Sequence, residues 1–235
     1  MGVRSERHQK KTNWTIPVLL CVLFVAFTCL TVTVDRQTFT PVAVDKATGH
    51  ELAEQPGGTY SIGFGGLNLP VSEKIGFKPT MYKASSYAGY LCLAAALCMA
   101  GCAAYQWIRT RSLRKIEKPL LLLMGVFALF VVVYVVFEKL SLNVRPFALD
   151  GEIEASYPST HTLFGSLLMG AVFLCLKRIS LPKGVRTAGM VFCVAVGVLT
   201  VAFRLLSGVH WLTDILGGLL LSAAVLALYR TFADS

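Results

Sequence analysis

Residues 203–214 read FRLLSGVHWLTD, and the run just before them, TAGMVFCVAVGVLTVA (187–202), carries no charge at all. An uncharged run that delivers Arg204, His210 and Asp214 within a few residues has the pattern of a membrane helix ending in a polar site. The apolar half of this pattern recurs. Besides Thr187–Leu206, we read apolar runs at Thr15–Val34, Ser86–Ile108, Pro119–Phe137, Thr162–Leu176 and Thr213–Tyr229. The composition agrees, with 55% hydrophobic residues, 15% charged residues and a mean hydropathy of +0.64 over 235 residues. A helix needs about 20 apolar residues to cross the hydrocarbon. The expected fold is therefore all-α and polytopic, with six transmembrane helices. Thr162–Leu176 is the shortest run and must borrow flanking residues.

The net charge of +9 would suit nucleic acid, but its distribution fits membrane topology instead. Arg4, Arg7, Lys10 and Lys11 precede the first run. Arg109, Arg111, Arg114, Lys115 and Lys118 separate the second from the third, and Lys177, Arg178, Lys183 and Arg186 the fourth from the fifth. Six crossings put all three groups on one side, which the positive-inside rule makes cytoplasmic, with both termini. The turn around His210 then faces outward. The first run is long for a signal peptide and lacks a small-residue cleavage site, so it is read as an anchor. All seven cysteines lie inside apolar runs without metal-ligand spacing and behave as small hydrophobes.

The chain divides into a basic N-terminus with its first helix (1–34), an outer loop (35–85) and a helical core (86–235). No internal repeat is visible. Within the loop, TPVAVDKATGHELAEQPGG is rich in turn formers and expected to be irregular. IGFGGLNLPVSEKIGF is expected to lie along the membrane surface as a short amphipathic piece. A covering role and a role in admitting a ligand are both open to it.

Three polar groupings share the outer face: EKLSLNVRP (138–146), YPSTHT (157–162) and the opening stretch. Arg145 and Arg204 offer planar forks that match phosphate or carboxylate oxygens. Pro158 holds the chain extended so that Ser159 or Thr160 can cap a helix starting near Thr162, and a capped helix N-terminus receives anions. His210 and Asp214, four residues apart, share one helical face, where the carboxylate can fix the imidazole tautomer. His161 supplies an acid. One nucleophile, one acid and several anion forks describe phosphoryl transfer by positioning and charge. Singly, each residue has an ordinary role: the arginines can snorkel, Asp214 can serve the helix dipole, and His210 can sit at the interface. It is their joint occurrence on one face that points to a site.

The order Arg145-Pro146, then Pro158-Ser159-Thr160-His161, then Arg204 with His210 and Asp214 resembles the three-part signature of the type 2 phosphatidic acid phosphatase (PAP2) superfamily of membrane lipid phosphatases. The resemblance covers about Pro119 to Tyr229. It implies a PAP2-like helical bundle in which His210 attacks phosphorus to form a phosphohistidine and Asp214 orients it. His161 would protonate the leaving oxygen, and Arg145, Arg204 and Ser159 would hold the phosphoryl oxygens. No metal and no cofactor are implied. Two positions depart from the family pattern. Glu138 stands where a lysine is usual, with Lys139 one step on, and Thr160 replaces a glycine while keeping a hydroxyl donor. Because Ser141 and Asn143 are poor helix formers, the helix is expected to unwind near Phe137, letting Lys139 swing in to bind phosphate; a helix that continued would instead leave Glu138 in the lysine position.

The function so implied is hydrolysis of a lipid phosphate or diphosphate at the outer leaflet of a cell membrane, with the bilayer and its lipid as partners and no nucleic acid. Phosphatidic acid, phosphatidylglycerol phosphate and a prenyl diphosphate such as undecaprenyl diphosphate all fit, with a lean by analogy to the prenyl diphosphate. The rivals are a catalytically inactive lipid-binding relative, for which Glu138 argues, and a transporter or proton pathway. Against the latter, the charges cluster at one interface and not at the midplane. A zinc site on His161, His210 and Asp214 is weaker, because two arginines would crowd a cation.

Overall fold

The computed structural model describes residues 14–234; the basic cluster Arg4, Arg7, Lys10 and Lys11 lies outside them. Helix α1 (Thr15–Thr33) leads into strands β1 (Gln37–Phe39), β2 (Val42–Val44) and β3 (Tyr60–Ile62), then α2 (Gly65–Ile75) and the long α3 (Pro79–Thr110). After a 3₁₀ turn at Leu113–Lys115 come α4 (Lys118–Leu140) and β4 (Phe147–Leu149). A continuous apolar run follows, made of α5 (Thr160–Leu163), a π turn (Phe164–Leu168) and α6 (Met169–Leu176). Helices α7 (Lys183–Leu206) and α8 (Leu212–Asp234) complete the chain.

Among the described residues, five helices, α1, α3, α4, α7 and α8, are long and apolar enough to cross a membrane; Thr160–Leu176 is a shorter apolar helix. The protein is thus an all-α, multi-pass membrane protein with five long spans rather than six equal ones. Proline starts several of the helices, with Pro79 and Pro119 in the first turns of α3 and α4 and Pro182 just before α7. A first-turn proline sacrifices an N–H that no helical carbonyl would have accepted.

The buried core gathers Cys92 and Ala96 of α3, Leu120 and Leu123 of α4, Met169 and Cys175 of α6, Val196 of α7 and Leu221 of α8. Outward faces are equally apolar: Val22, Val131, Val132, Val191 and Val198 are exposed, as befits lipid contact. Since hydrocarbon outside equals hydrocarbon inside, close packing and interhelical hydrogen bonds must hold the helices together. A methyl on Gly197 would come within 2.6 Å of the Gly165 carbonyl, so α7 meets the π turn backbone to backbone. Ser166 bonds Ser222 at 2.6 Å, and the Tyr229 hydroxyl donates to the Pro119 carbonyl at 2.9 Å.

The outer end is more ordered than the turn-rich sequence suggests. Strand β1 pairs antiparallel with β3, and β2 pairs in parallel with β4, Val42 opposite Phe147. Val44, Leu149 and Val209 form a second small core there, joined by Phe77, Tyr82 and Phe147. Residues 42–44 are thus a strand, correcting the irregular reading; local turn chemistry could not reveal a partner a hundred residues away. Helix α2 forms where an amphipathic piece was expected, but it buries Gly65, Asn68 and Ser72 and leaves Leu67 exposed. Its inward side is small and polar because it docks on the start of α8: Asn68 Nδ2 donates to Thr213 Oγ1 at 2.9 Å, and its Oδ1 accepts from the Thr213 N–H at 3.2 Å.

Candidate active site

Helix α7 ends as Ser207 Oγ donates back to the Arg204 carbonyl at 2.7 Å. Gly208 then turns the chain with φ +73°, and a side chain there would strike the Gly76 carbonyl. This tight turn delivers His210 beside Arg204 and, four residues on, Asp214 in the first turn of α8. Asp214 Oδ2 accepts from the Trp211 N–H at 3.0 Å and lies 3.4 Å from His210 Nδ1. Arg204 Nη2 lies 3.1 Å from His210 Nε2. A guanidinium can only donate, so Nε2 must present its lone pair and Nδ1 must carry the proton that points to Asp214. The contacts thus select the tautomer that leaves the Nε2 lone pair unprotonated. Burial, followed by the positive charges of Arg204 and Arg145, holds the His210 pKa well below its ordinary value, which favours the neutral ring.

Arg204 is only 1% exposed. Its guanidinium lies 5.1 Å from the ring centre of Tyr82, near the start of α3, in a cation–π contact. Arg145, in the loop after α4, forms an ion pair through Nη1 with Glu154, whose carbonyl also accepts the Arg145 N–H at 3.1 Å. Ser159 Oγ accepts from the Thr162 N–H at 3.4 Å, the capping role expected of it. The Ser159 N–H donates to the Asp214 carbonyl at 3.2 Å, and Trp211 Nε1 donates to the Val144 carbonyl at 2.7 Å. These two bonds lock all three sequence groupings together. Ser156 and Asn143 stand near the Asp214 carboxylate without full hydrogen-bond geometry.

A cavity of about 220 Å³ opens here, lined by Arg145, Thr160, His161, Arg204 and His210 and also by Glu138 and Glu154. Arg204 Nε and Nη1, Arg145 Nε and His161 Nδ1 are buried without a hydrogen-bond partner among the described residues. Unpaired buried donors are costly, and an anion would satisfy several at once.

The structure brings together His210, Asp214, Arg204, Arg145, His161 and Thr160, with Ser159 buried just behind. It does not bring in Lys139. Helix α4 runs on through Leu140 and stops at Ser141, whose φ of +43° gives a left-handed cap. The expected unwinding at Phe137 therefore does not occur. With neighbouring helical residues about 100° apart, Glu138 takes the cavity wall and Lys139 points elsewhere. Sequence reasoning missed Tyr82, Glu154 and Trp211, which no local motif marks. Among the described residues no three His, Cys, Asp or Glu side chains cluster as metal ligands.

The sequence model of the PAP2 superfamily matches residues 92–234. Comparison with curated protein sequences returns no match. Among solved structures, this chain is similar to a transmembrane PAP2-type phosphatidylglycerolphosphate phosphatase from Bacillus subtilis. The likeness covers 92% of this chain and 95% of that one, with a TM-score of 0.60 and 18% identity. At that identity it shows a shared fold.

Proposed function

We propose, since this chain belongs to the PAP2 superfamily, that it is a membrane phosphatase acting on a lipid phosphate or diphosphate through a phosphohistidine. His210 Nε2 attacks phosphorus, and the bond from phosphorus to the leaving oxygen breaks as His161 gives that oxygen a proton. His161, now a base, takes a proton from water, whose oxygen displaces Nε2 from phosphorus and frees inorganic phosphate. Arg204, Arg145 and Thr160 hold the non-bridging oxygens, and the Ser159 hydroxyl, whose oxygen already accepts from Thr162, keeps its hydrogen to donate. Asp214 stabilises the imidazole as charge develops, and Lys139 takes no part.

The observation that carries this reading is the chain of contacts Arg204 Nη2, His210 Nε2, His210 Nδ1 and Asp214 Oδ2 on a wall rich in unsatisfied donors. The proposal places six crossings in the membrane, with Thr160–Leu176 as the short one, both termini in the cytoplasm and the site at the outer leaflet. Its support is the charge asymmetry, together with a groove at which Arg109 and Lys115 meet Ser180, bringing two of the basic loops to one end. Phosphatidic acid, phosphatidylglycerol phosphate (the substrate named for the Bacillus subtilis protein) and undecaprenyl diphosphate are the candidate substrates.

The test is phosphate release by the detergent-purified protein from a panel of these lipids, with and without chelator, for wild type and His210→Ala. We expect chelator-resistant turnover, its loss in His210→Ala, and an acid-labile, base-stable phosphoenzyme on rapid quenching. Full activity in His210→Ala would end the phosphohistidine reading.

A further inference from the structure

The cavity that accepts the phosphoryl group carries two negative side chains as well as two positive ones. Arg145 and Arg204 face it, and so do Glu138 of α4 and Glu154 of the loop before α5. Their formal charges cancel. The two signs are not mixed evenly. Arg204 and His210 form the dry wall, at 1% and 6% exposure. Glu154 is 46% exposed and holds Arg145, itself 17% exposed, nearer the opening; Glu138 is also exposed.

This arrangement bears on what can leave. In-line displacement puts the leaving oxygen opposite the attacking nitrogen, hence away from the buried His210. A monoester concentrates its two charges on the transferred group, where Arg204 and Arg145 meet them. A diphosphate adds a second phosphate to a cavity that Glu138 and Glu154 also line, and among the described residues no further Arg or Lys side chain lines it. Like charges facing each other at such a site are a discriminating element against the wrong ligand. Resting on the phosphatase reading above, we infer that Glu138 and Glu154 make this protein a lipid phosphomonoesterase that discriminates against diphosphates. Glu154 has a second effect: its carboxylate occupies part of the Arg145 fork, and an incoming phosphate must displace or share it.

Farnesyl monophosphate and farnesyl diphosphate have the same tail and differ only in the second phosphate. The experiment compares kcat/KM for the two with the full-length protein in detergent, for wild type, Glu138→Gln and Glu154→Gln. Wild type should prefer the monophosphate by about tenfold or more, and each substitution should narrow the ratio about three- to tenfold by raising diphosphate turnover. A wild-type ratio at or below one, with turnover still dependent on His210, overturns this inference and leaves the phosphatase reading standing. Ratios unchanged in both variants overturn it as well. Release from neither ester, nor from any other lipid phosphate, defeats the phosphatase reading and this inference with it.

Discussion

The turn between α7 and α8 and the loop between α4 and α5 each bring an arginine to one cavity, and they hold it in opposite ways. Arg204 is buried against the Tyr82 ring and bonded to His210, with two nitrogens lacking a hydrogen-bond partner among the described residues. Arg145 is nearer solvent and shares its charge with a half-exposed side chain, Glu154. The first arrangement is stiff and dry, suited to stabilising charge that appears only in the transition state. The second can exchange partners, suited to recognising what enters. In the proposed reaction the comparison separates chemistry from selection within a single site.

The largest expected effect would break that division directly. Lysine keeps the charge of arginine but loses its fork and its flat stacking surface. In the proposed reaction, Arg204→Lys should lower kcat by about 100-fold or more, whereas Arg145→Lys should act chiefly on KM, by about tenfold. Steady-state kinetics on the best lipid substrate decides the matter; equal losses of kcat in both would erase the distinction.

The next effect sharpens it through pH. The folded pKa of His210 lies well below the ordinary value of about 6.5, through burial first and then Arg204 and Arg145. The neutral nucleophile therefore survives acidification through pH 6.5, and the acid limb of kcat/KM assigned to it should fall below that pH. Stability follows the same sign. The unfolded chain binds a proton near pH 6.5 that the folded chain refuses, so stability is full above that pH and declines as pH drops towards the folded value. Thermal unfolding in detergent at about pH 7.5 and pH 5 should show a smaller acid-induced loss in His210→Asn than in wild type. An equal loss would assign the acid sensitivity to other groups.

The smallest effect concerns the scaffold of the stiff half. Asn68 satisfies the Thr213 N–H at the start of α8 from another element, so Asn68→Ala should cost about 1–2 kcal/mol. Glu154→Gln, altering a half-exposed pair, should change stability by less than about 1 kcal/mol. The two melting temperatures, measured side by side, test this ranking.

Much of this was legible in the chain itself. Apolar length marked the long helices, and the spacing of His210 and Asp214 marked the pair; the shared helical face expected for them does not form, because His210 lies in the turn before α8 and only Asp214 is in its first turn. The end of α4 was misjudged too. Ser141 and Asn143 are weak helix formers, but what stops the helix is a left-handed backbone at Ser141, a residue that seldom adopts one, so propensity alone placed the stop too early. Tyr82, Asn68 and Glu154 act on partners far away in sequence, through packing that no local pattern encodes. The short sixth run was visible as short, but the π turn that lets Gly165 meet Gly197 was not.

The bond between Asn68 and Thr213 joins residues separated by 145 positions, and that between Thr28 and Tyr157 spans 129. A chain emerging from the ribosome therefore presents α1 and α2 long before Tyr157 and α8 are made to receive them. The wall that holds His210 closes only once the start of α8 has been made. A product stalled before α8, however many helices it has inserted, therefore lacks Asp214 and the wall it builds with His210 and Arg204.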